Sequence, residues 1–316
     1  DRRSTGYVRL DRRSVMEKIG FIGLGRMGLP MAANLVRGNY PVWGFDTDDH
    51  QLEQAGQKGC TLCSSVSAVV EIADIVITML PNSKSVEDVY LSSDSGIFHH
   101  ADKDMLVMDM STVSPATTDL VAAEAAARQI EFLDAPVGRL ASHADAGESL
   151  FMVGGSEKGF KRVEPLLALM GSDIFLCGGA GAGTRTKLVN NFLAISYCQM
   201  NAEALSLMET FGLNLEKTLE VLYGTTATNG QLKVAWPAKV LSGDTSPGFT
   251  IDLAHKDLSL VVQAANDQSL SMPMAAAARE AFSLARRRGF GLKDFSAMLE
   301  QHCDLHSLDT PRRHTD

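Results

Sequence analysis

The segment Ile19-Gly20-Phe21-Ile22-Gly23-Leu24-Gly25-Arg26-Met27-Gly28 constrains this chain more than any other part of it. A strand-length apolar run leads into three glycines at G-x-G-x-x-G spacing, and a helix-patterned stretch, residues 27–37, follows. In that setting each glycine has its own task. Gly23 permits the tight turn, Gly25 lets the backbone approach a pyrophosphate, and Gly28 lets the helix pack close to the strand. The helix start offers free N–H groups and a partial positive charge to phosphate oxygens. The whole turn, Gly23, Leu24, Gly25, Arg26, Met27 and Gly28, is therefore a candidate dinucleotide loop. The plain alternative is a glycine-rich β–α turn with no ligand.

Asp46 closes the next apolar run, residues 42–45. A carboxylate at the end of a second strand accepts hydrogen bonds from ribose hydroxyls and repels a 2′-phosphate. Thr47, Asp48 and Asp49 follow, with no Arg or Lys to welcome that phosphate. The expected cofactor is NAD.

Apolar runs of strand length recur at residues 75–80, 105–110, 130–133, 150–153 and 174–176, with helix-like stretches between most of them. Ser114 and Pro115 read as the N-cap and first position of one such helix, over 115–128. This alternation predicts an α/β fold with a doubly wound, mostly parallel sheet covered on both faces. Beyond the glycine-rich stretch 178–183 only helical periodicity remains, at 184–211, 215–222, 252–265, 273–288 and 292–301. The expected organisation is an extension over 1–15, a cofactor domain over 16–178 and an all-α domain over 179–316 for substrate binding and assembly. The tail after His302 is expected to be loose. The stretch 184–211 is apolar around much of its circumference, which implies burial and a homo-oligomer, a dimer or tetramer.

A formal net charge of -9 argues against nonspecific binding to nucleic acid or to anionic membranes, both of which need a basic surface. No apolar run approaches the roughly 20 residues that span a bilayer. The five arginines before Met16 have no apolar core behind them, so they are not read as a secretory signal, and Met16 is read as the natural start. A cytoplasmic location is expected. Cys60 and Cys63 form a C-x-x-C, but no second pair or nearby His pair completes a metal site, so no metal is expected.

Several motifs in order resemble the β-hydroxyacid dehydrogenase family. They are the glycine turn, Met79-Leu80-Pro81, Asp109-Met110-Ser111-Thr112, Asp134-Ala135-Pro136-Val137, Gly181-Ala182-Gly183 with Lys187 and Asn190-Asn191, and Lys256-Asp257-Leu258. The resemblance implies a Rossmann-type sheet followed by an all-helical part, with the active site between them. It places Arg26, Met27, Asp46, Leu80, Pro81, Thr112 and Lys256 at the cofactor and makes Lys187 catalytic.

Lys187, Asn190 and Asn191 stand at i, i+3 and i+4 and share a helical face. Hydride delivery to a carbonyl builds negative charge on oxygen. A nearby ammonium stabilises that charge and supplies the proton, and the neutral amine acts as base in reverse. Asn191 can donate to the same oxygen or orient the substrate.

Where most family members have Ser-Gly-Gly, this chain has Gly138-Arg139-Leu140. Arg139 offers a cationic fork for a carboxylate, sulfonate or phosphate, or alternatively a structural ion pair. With Arg139 and the stretches 236–244 and 252–258, the chain resembles family members that reduce 3-sulfolactaldehyde and succinic semialdehyde. Leu140, Ala141 and Ala194 replace hydroxyl residues of that subgroup and remove donors that a sulfonate would use. The candidate substrate residues are Gly138, Arg139, Leu140, Asn190, Asn191 and Ala194. The expected activity is NAD-linked hydride transfer between a short anionic alcohol and its aldehyde. The alternatives are a 3-hydroxyisobutyrate or tartronate semialdehyde type of dehydrogenase, and a noncatalytic NAD(H)-binding module.

Overall fold

A computed structural model describes residues 16–313. The expected extension before Met16 lies outside them. The first part alternates strand and helix: β1 (Ile19–Ile22), α1 (Gly28–Arg37), β2 (Val42–Phe45), α2 (Asp49–Gln57), β3 (Thr61–Leu62), α3 (Val66–Val70) and β4 (Ile75–Thr78). It continues through α4 (Ser83–Leu91), α5 (Ile97–His100), β5 (Leu106–Asp109), α6 (Pro115–Ala127), β6 (Glu131–Asp134) and β7 (Val137–Gly138). Then come α7 (Ala141–Ala146), β8 (Ser149–Gly154), α8 (Glu157–Met170) and β9 (Gly171–Gly178). Ser114 Oγ caps α6 by accepting from Thr117 N at 3.1 Å, with Pro115 at the first helical position.

The strands form one sheet in the order β3-β2-β1-β4-β5-β6-β8-β7, with β9 beside β8. The pairs among β1 to β6 are parallel, while β8 runs antiparallel to β6 and β7. Strand order reverses between β1 and β4. In an open parallel sheet that reversal leaves a crevice outside the carboxyl ends of the strands, where ligands bind. Successive strand residues face opposite sides. Ile75 and Ile77 enter the core under α1 and α8, whereas Val76 enters the core under α3 to α6. Burial on both faces is why these strands read as continuous apolar runs.

The second part is helical: α9 (Ala182–Thr210), α10 (Leu215–Tyr223), a π-helical turn (Gln231–Ala235), α11 (Trp236–Ala238), α12 (Ile251–Asp267), α13 (Pro273–Arg287) and α14 (Met298–Leu305). Its own core gathers Ile195, Cys198, Trp236, Leu258, Phe282 and Leu299. Among the described residues no helix is long and apolar enough to cross a membrane.

Two expectations fail here. The helix expected over 292–301 begins only with a 3₁₀ turn at Phe295–Ala297, because the Asp294 carboxylate caps Ser296 N at 3.1 Å and starts the helix there. The tail is also docked through residue 313. Arg312 reaches Glu300 at 2.6 Å and the Val240 carbonyl, and Arg313 N donates to Leu241 O at 2.8 Å.

Candidate active site

At Gly23 the backbone has φ 93°, and a Cβ would meet the Met79 carbonyl oxygen at 2.2 Å. A Cβ on Gly28 would meet the Gly23 carbonyl oxygen at 1.9 Å. Among the described residues nothing lies within 4 Å of a Cβ built on Gly25. Two of the three glycines therefore serve the turn itself, and the third leaves open space facing the crevice. Helix α1 starts with no side-chain cap and no acidic residue in its first turn. Its end is free to receive an anion. Asp46 Oδ2 accepts from Leu24 N at 2.6 Å and Oδ1 from Asp48 N at 2.9 Å. Each oxygen keeps a lone pair for a further donor.

A cleft of about 860 Å³ lies between the carboxyl edge of the sheet and the helical part. Gly23, Gly25, Arg26, Met27, Gly28, Asp46, Leu80, Pro81 and Thr112 line its sheet side. Lys187, Asn190, Asn191, Ala194 and Lys256 line the other, with Arg139 and Leu140 at one end. Two expected site residues do not line it. Leu24 is fully buried, with its side chain in the core beneath the turn, and only its N–H is engaged, by Asp46. Gly138 is buried in the β7–β8 pairing.

Helix α9 delivers Lys187. The Asp134 carboxylate fixes its start, accepting from Gly181 N and Thr184 N at 2.6 Å each. At Gly183 a Cβ would meet the Met152 carbonyl oxygen at 2.2 Å, so the helix packs directly on strand backbone. One turn on, Lys187 is buried and its Nζ donates to the Val137 carbonyl at 2.7 Å. Burial lowers its pKa, the Asp257 carboxylate opposes that, and Lys256 adds to the lowering.

Asn191 Nδ2 donates to Asp257 Oδ2 at 2.6 Å, and Asn191 Oδ1 accepts from Asn190 Nδ2 at 3.0 Å. Lys256 Nζ donates to the Thr112 carbonyl at 2.9 Å and stands 3.2 Å from Asp257 Oδ1. That last contact is one of charge, since Asp257 Oδ1 has no hydrogen-bond partner. Asp257 is 2% exposed and lines the cleft, yet sequence reasoning passed over it in favour of its neighbour Lys256.

Arg139 does not stand as a free cation. Its guanidinium donates to Asp173 at 2.5 Å, to Ser172 Oγ at 2.7 Å and to the Glu148 carbonyl at 2.6 Å. The hydrogen bond from Ser172 and the one from Arg139 hold the Asp173 carboxyl below its usual range. Leu140, Ala141, Ala194, Ile195, Phe249 and Phe295 give this end of the cleft an apolar lining. Arg26 reaches across the cleft to the Pro247 carbonyl. Among the described residues no group of three His, Cys, Asp or Glu could hold a metal. Burial pushes the Cys60 thiol up to about 11, which suits a packed side chain better than a reactive one.

Residues 18–179 match the family model described as the NAD binding domain of 6-phosphogluconate dehydrogenase. Residues 181–301 match the one described as NAD-binding of NADP-dependent 3-hydroxyisobutyrate dehydrogenase. The chain is 41% identical over 286 residues to the 3-sulfolactaldehyde reductase of Escherichia coli (strain K12), covering 90% of this chain and 96% of that protein. It is 36% identical to the 2-(hydroxymethyl)glutarate dehydrogenase of Eubacterium barkeri, covering 90% of this chain and 94% of that one. A solved structure, Mycobacterium tuberculosis 3-hydroxyisobutyrate dehydrogenase with L-serine, superposes with a TM-score of 0.83 at 32% identity, covering 91% of this chain and 99% of that one.

The glycine geometry separates two variants. Gly25→Ala is expected to keep its thermal midpoint while NADH binding weakens roughly tenfold or more, about 1.4 kcal/mol. Gly28→Ala is expected to lose stability outright, because its methyl meets backbone. Fluorescence titration with NADH and thermal melts check both, and unweakened NADH binding by Gly25→Ala would contradict the assignment.

Proposed function

The chain belongs to the β-hydroxyacid dehydrogenase family of the 3-hydroxyisobutyrate dehydrogenase type, and from that premise we propose a substrate and a proton carrier. The substrate is a short aldehyde with a terminal anion, or the matching alcohol, and Lys187 is the proton donor and acceptor. The chain is an NAD-dependent oxidoreductase acting on CH–OH groups. Open space at Gly25, the uncapped start of α1 and the Asp46 carboxylate suit a pyrophosphate and a ribose. The absence of a cation among Thr47, Asp48 and Asp49 supports NAD over NADP.

The observation that carries the reading is a buried amine at the cleft wall. Lys187 Nζ holds one backbone carbonyl and retains donors for a substrate oxygen. A bound nicotinamide supplies or accepts the hydride. As charge develops on the carbonyl oxygen, the Lys187 ammonium stabilises it and gives up a proton. In oxidation the neutral amine takes that proton back, and a lowered pKa makes the neutral form more available. Asn191, held by Asp257 and Asn190, keeps one N–H to aim at the same oxygen.

Two readings of the substrate differ at Arg139. If the anion draws the guanidinium from Asp173, the substrate resembles sulfolactaldehyde or succinic semialdehyde. The observed ion pair and the apolar lining favour a second reading, a small hydroxy acid of the 3-hydroxyisobutyrate or tartronate semialdehyde type. Initial rates with NADH and NADPH across these aldehydes decide between them. On the first reading Arg139→Ala raises KM for the anionic aldehyde about tenfold. On the second it leaves KM unchanged.

Lys187→Ala is expected to lower turnover by about a thousandfold while NADH still binds. The reduction rate uses the ammonium, so kcat/KM for reduction should fall as pH rises through the lowered Lys187 pKa, and oxidation should rise. A fully active Lys187→Ala enzyme would end the assignment.

A homo-oligomer is part of the same proposal. Val189, Leu193, Met200, Leu207 and Phe211 form one exposed apolar stripe along α9, with Val189 and Phe211 each 65% exposed. Sedimentation should give a dimer or tetramer, and Leu207→Glu with Phe211→Glu should shift it toward monomer. A monomeric wild type would refute this part.

A further inference from the structure

A dinucleotide lies across the loops that follow adjacent strands, so those loops must keep a fixed spacing. One buried carboxylate gathers them here. Asp109 ends β5 and is 3% exposed. Thr78 at the end of β4 and Asp134 at the end of β6 register on either side of it. Asp109 Oδ1 accepts from Thr78 Oγ1 at 2.7 Å, from Ser111 Oγ at 2.6 Å and from Ser111 N at 3.2 Å. Ser111 Oγ itself accepts from Leu80 N at 2.8 Å. Tyr90 of α4 completes the network, its hydroxyl 3.0 Å from Thr78 Oγ1. The loops bearing Leu80-Pro81 and Ser111-Thr112 thus hang from one oxygen. On the cleft side Lys256 Nζ bridges the same two loops at the Thr112 carbonyl, 2.9 Å, and the Pro81 carbonyl, 3.4 Å.

We propose that Asp109 is a positioning residue for the dinucleotide: its carboxylate sets the spacing of the loops after β4 and β5 without touching the cofactor. This rests on the cleft being the dinucleotide site. No cation faces the Asp109 carboxylate. Its charged and titratable neighbours are Asp134 on β6 and Tyr90 on α4, beside the neutral Thr78 and Ser111. Burial, opposed by the Ser111 and Thr78 hydrogen bonds and reinforced by Asp134, raises the carboxyl from 3.8 to about 6. A raised carboxyl stabilises the fold at low pH, and that contribution is lost as pH rises through about 6. The Ser111 and Thr78 hydrogen bonds hold the carboxylate against that burial.

The test compares wild type, Asp109→Asn and Ser111→Ala by calorimetric titration with NAD⁺ from about pH 5 to pH 8, together with thermal melts. Near neutral pH both variants should bind NAD⁺ about tenfold more weakly, because a charge-assisted acceptor or its bridge is gone. Wild-type affinity should fall as pH drops through about 6, and that of Asp109→Asn should stay flat. The thermal midpoint of Asp109→Asn should match or exceed wild type. Equal affinity in all three proteins overturns the inference and leaves the dinucleotide reading standing, whereas a wild type that binds no NAD⁺ removes both. Weaker binding with a lowered midpoint in Asp109→Asn also overturns it, in favour of a structural role. If Asp109→Asn does not fold, Ser111→Ala keeps the buried charge and decides alone: unchanged affinity there overturns the inference.

Discussion

The position of the cleft's far wall follows from how Asp134 meets the start of α9. Two charge-assisted hydrogen bonds at 2.6 Å anchor the first turn of a 29-residue helix to the end of a central strand. A carboxylate is favoured there by the helix dipole as well as by the free N–H groups. The same short segment supplies the Val137 carbonyl that receives the Lys187 ammonium. Residues 134–137 therefore fix both the root of the helix and the tip of the Lys187 side chain. Glycine at 183 completes the arrangement, since any side chain would push the helix off the Met152 backbone.

Charge in the cleft is arranged as a chain rather than as isolated groups. Asn190 holds Asn191, Asn191 holds Asp257, and Asp257 faces Lys256. Lys256 then grips the loops after β4 and β5, whose far side rests on Asp109. The Asp257 carboxylate raises the proton affinity of the Lys187 amine, and Lys256 lowers it. Burial exceeds both, and the net lowering is a property of the whole group.

Features governed by nearest neighbours were legible in the sequence. The glycine turn, the Ser114 cap and the two-sided strands depend on local backbone geometry and on burial pattern. Features that depend on distant partners were not. Arg139 looks like a ready anion site until Asp173, far along the chain, is found holding it. Leu24 sits among cleft-lining glycines, but its side chain turns into the core. Lys256 and Asp257 are adjacent, and no spacing says that the carboxylate is the more buried of the two. The tail is short and charged, and only Glu300, Glu216 and the carbonyls at 240 and 241 reveal that it docks.

The aligned row of Thr78, Asp109 and Asp134 bears on how such a protein can diversify. Adding or deleting one residue in any of these strands would turn a polar end group to the opposite face and break the row. The sheet edge is thus closed to insertions, and even conservative exchanges there are constrained by the shared oxygen of Asp109. The other end of the cleft is free of that constraint. There Leu140, Ala141, Ala194 and Phe249 line the cleft with apolar side chains, none of which takes part in the Asp109 network.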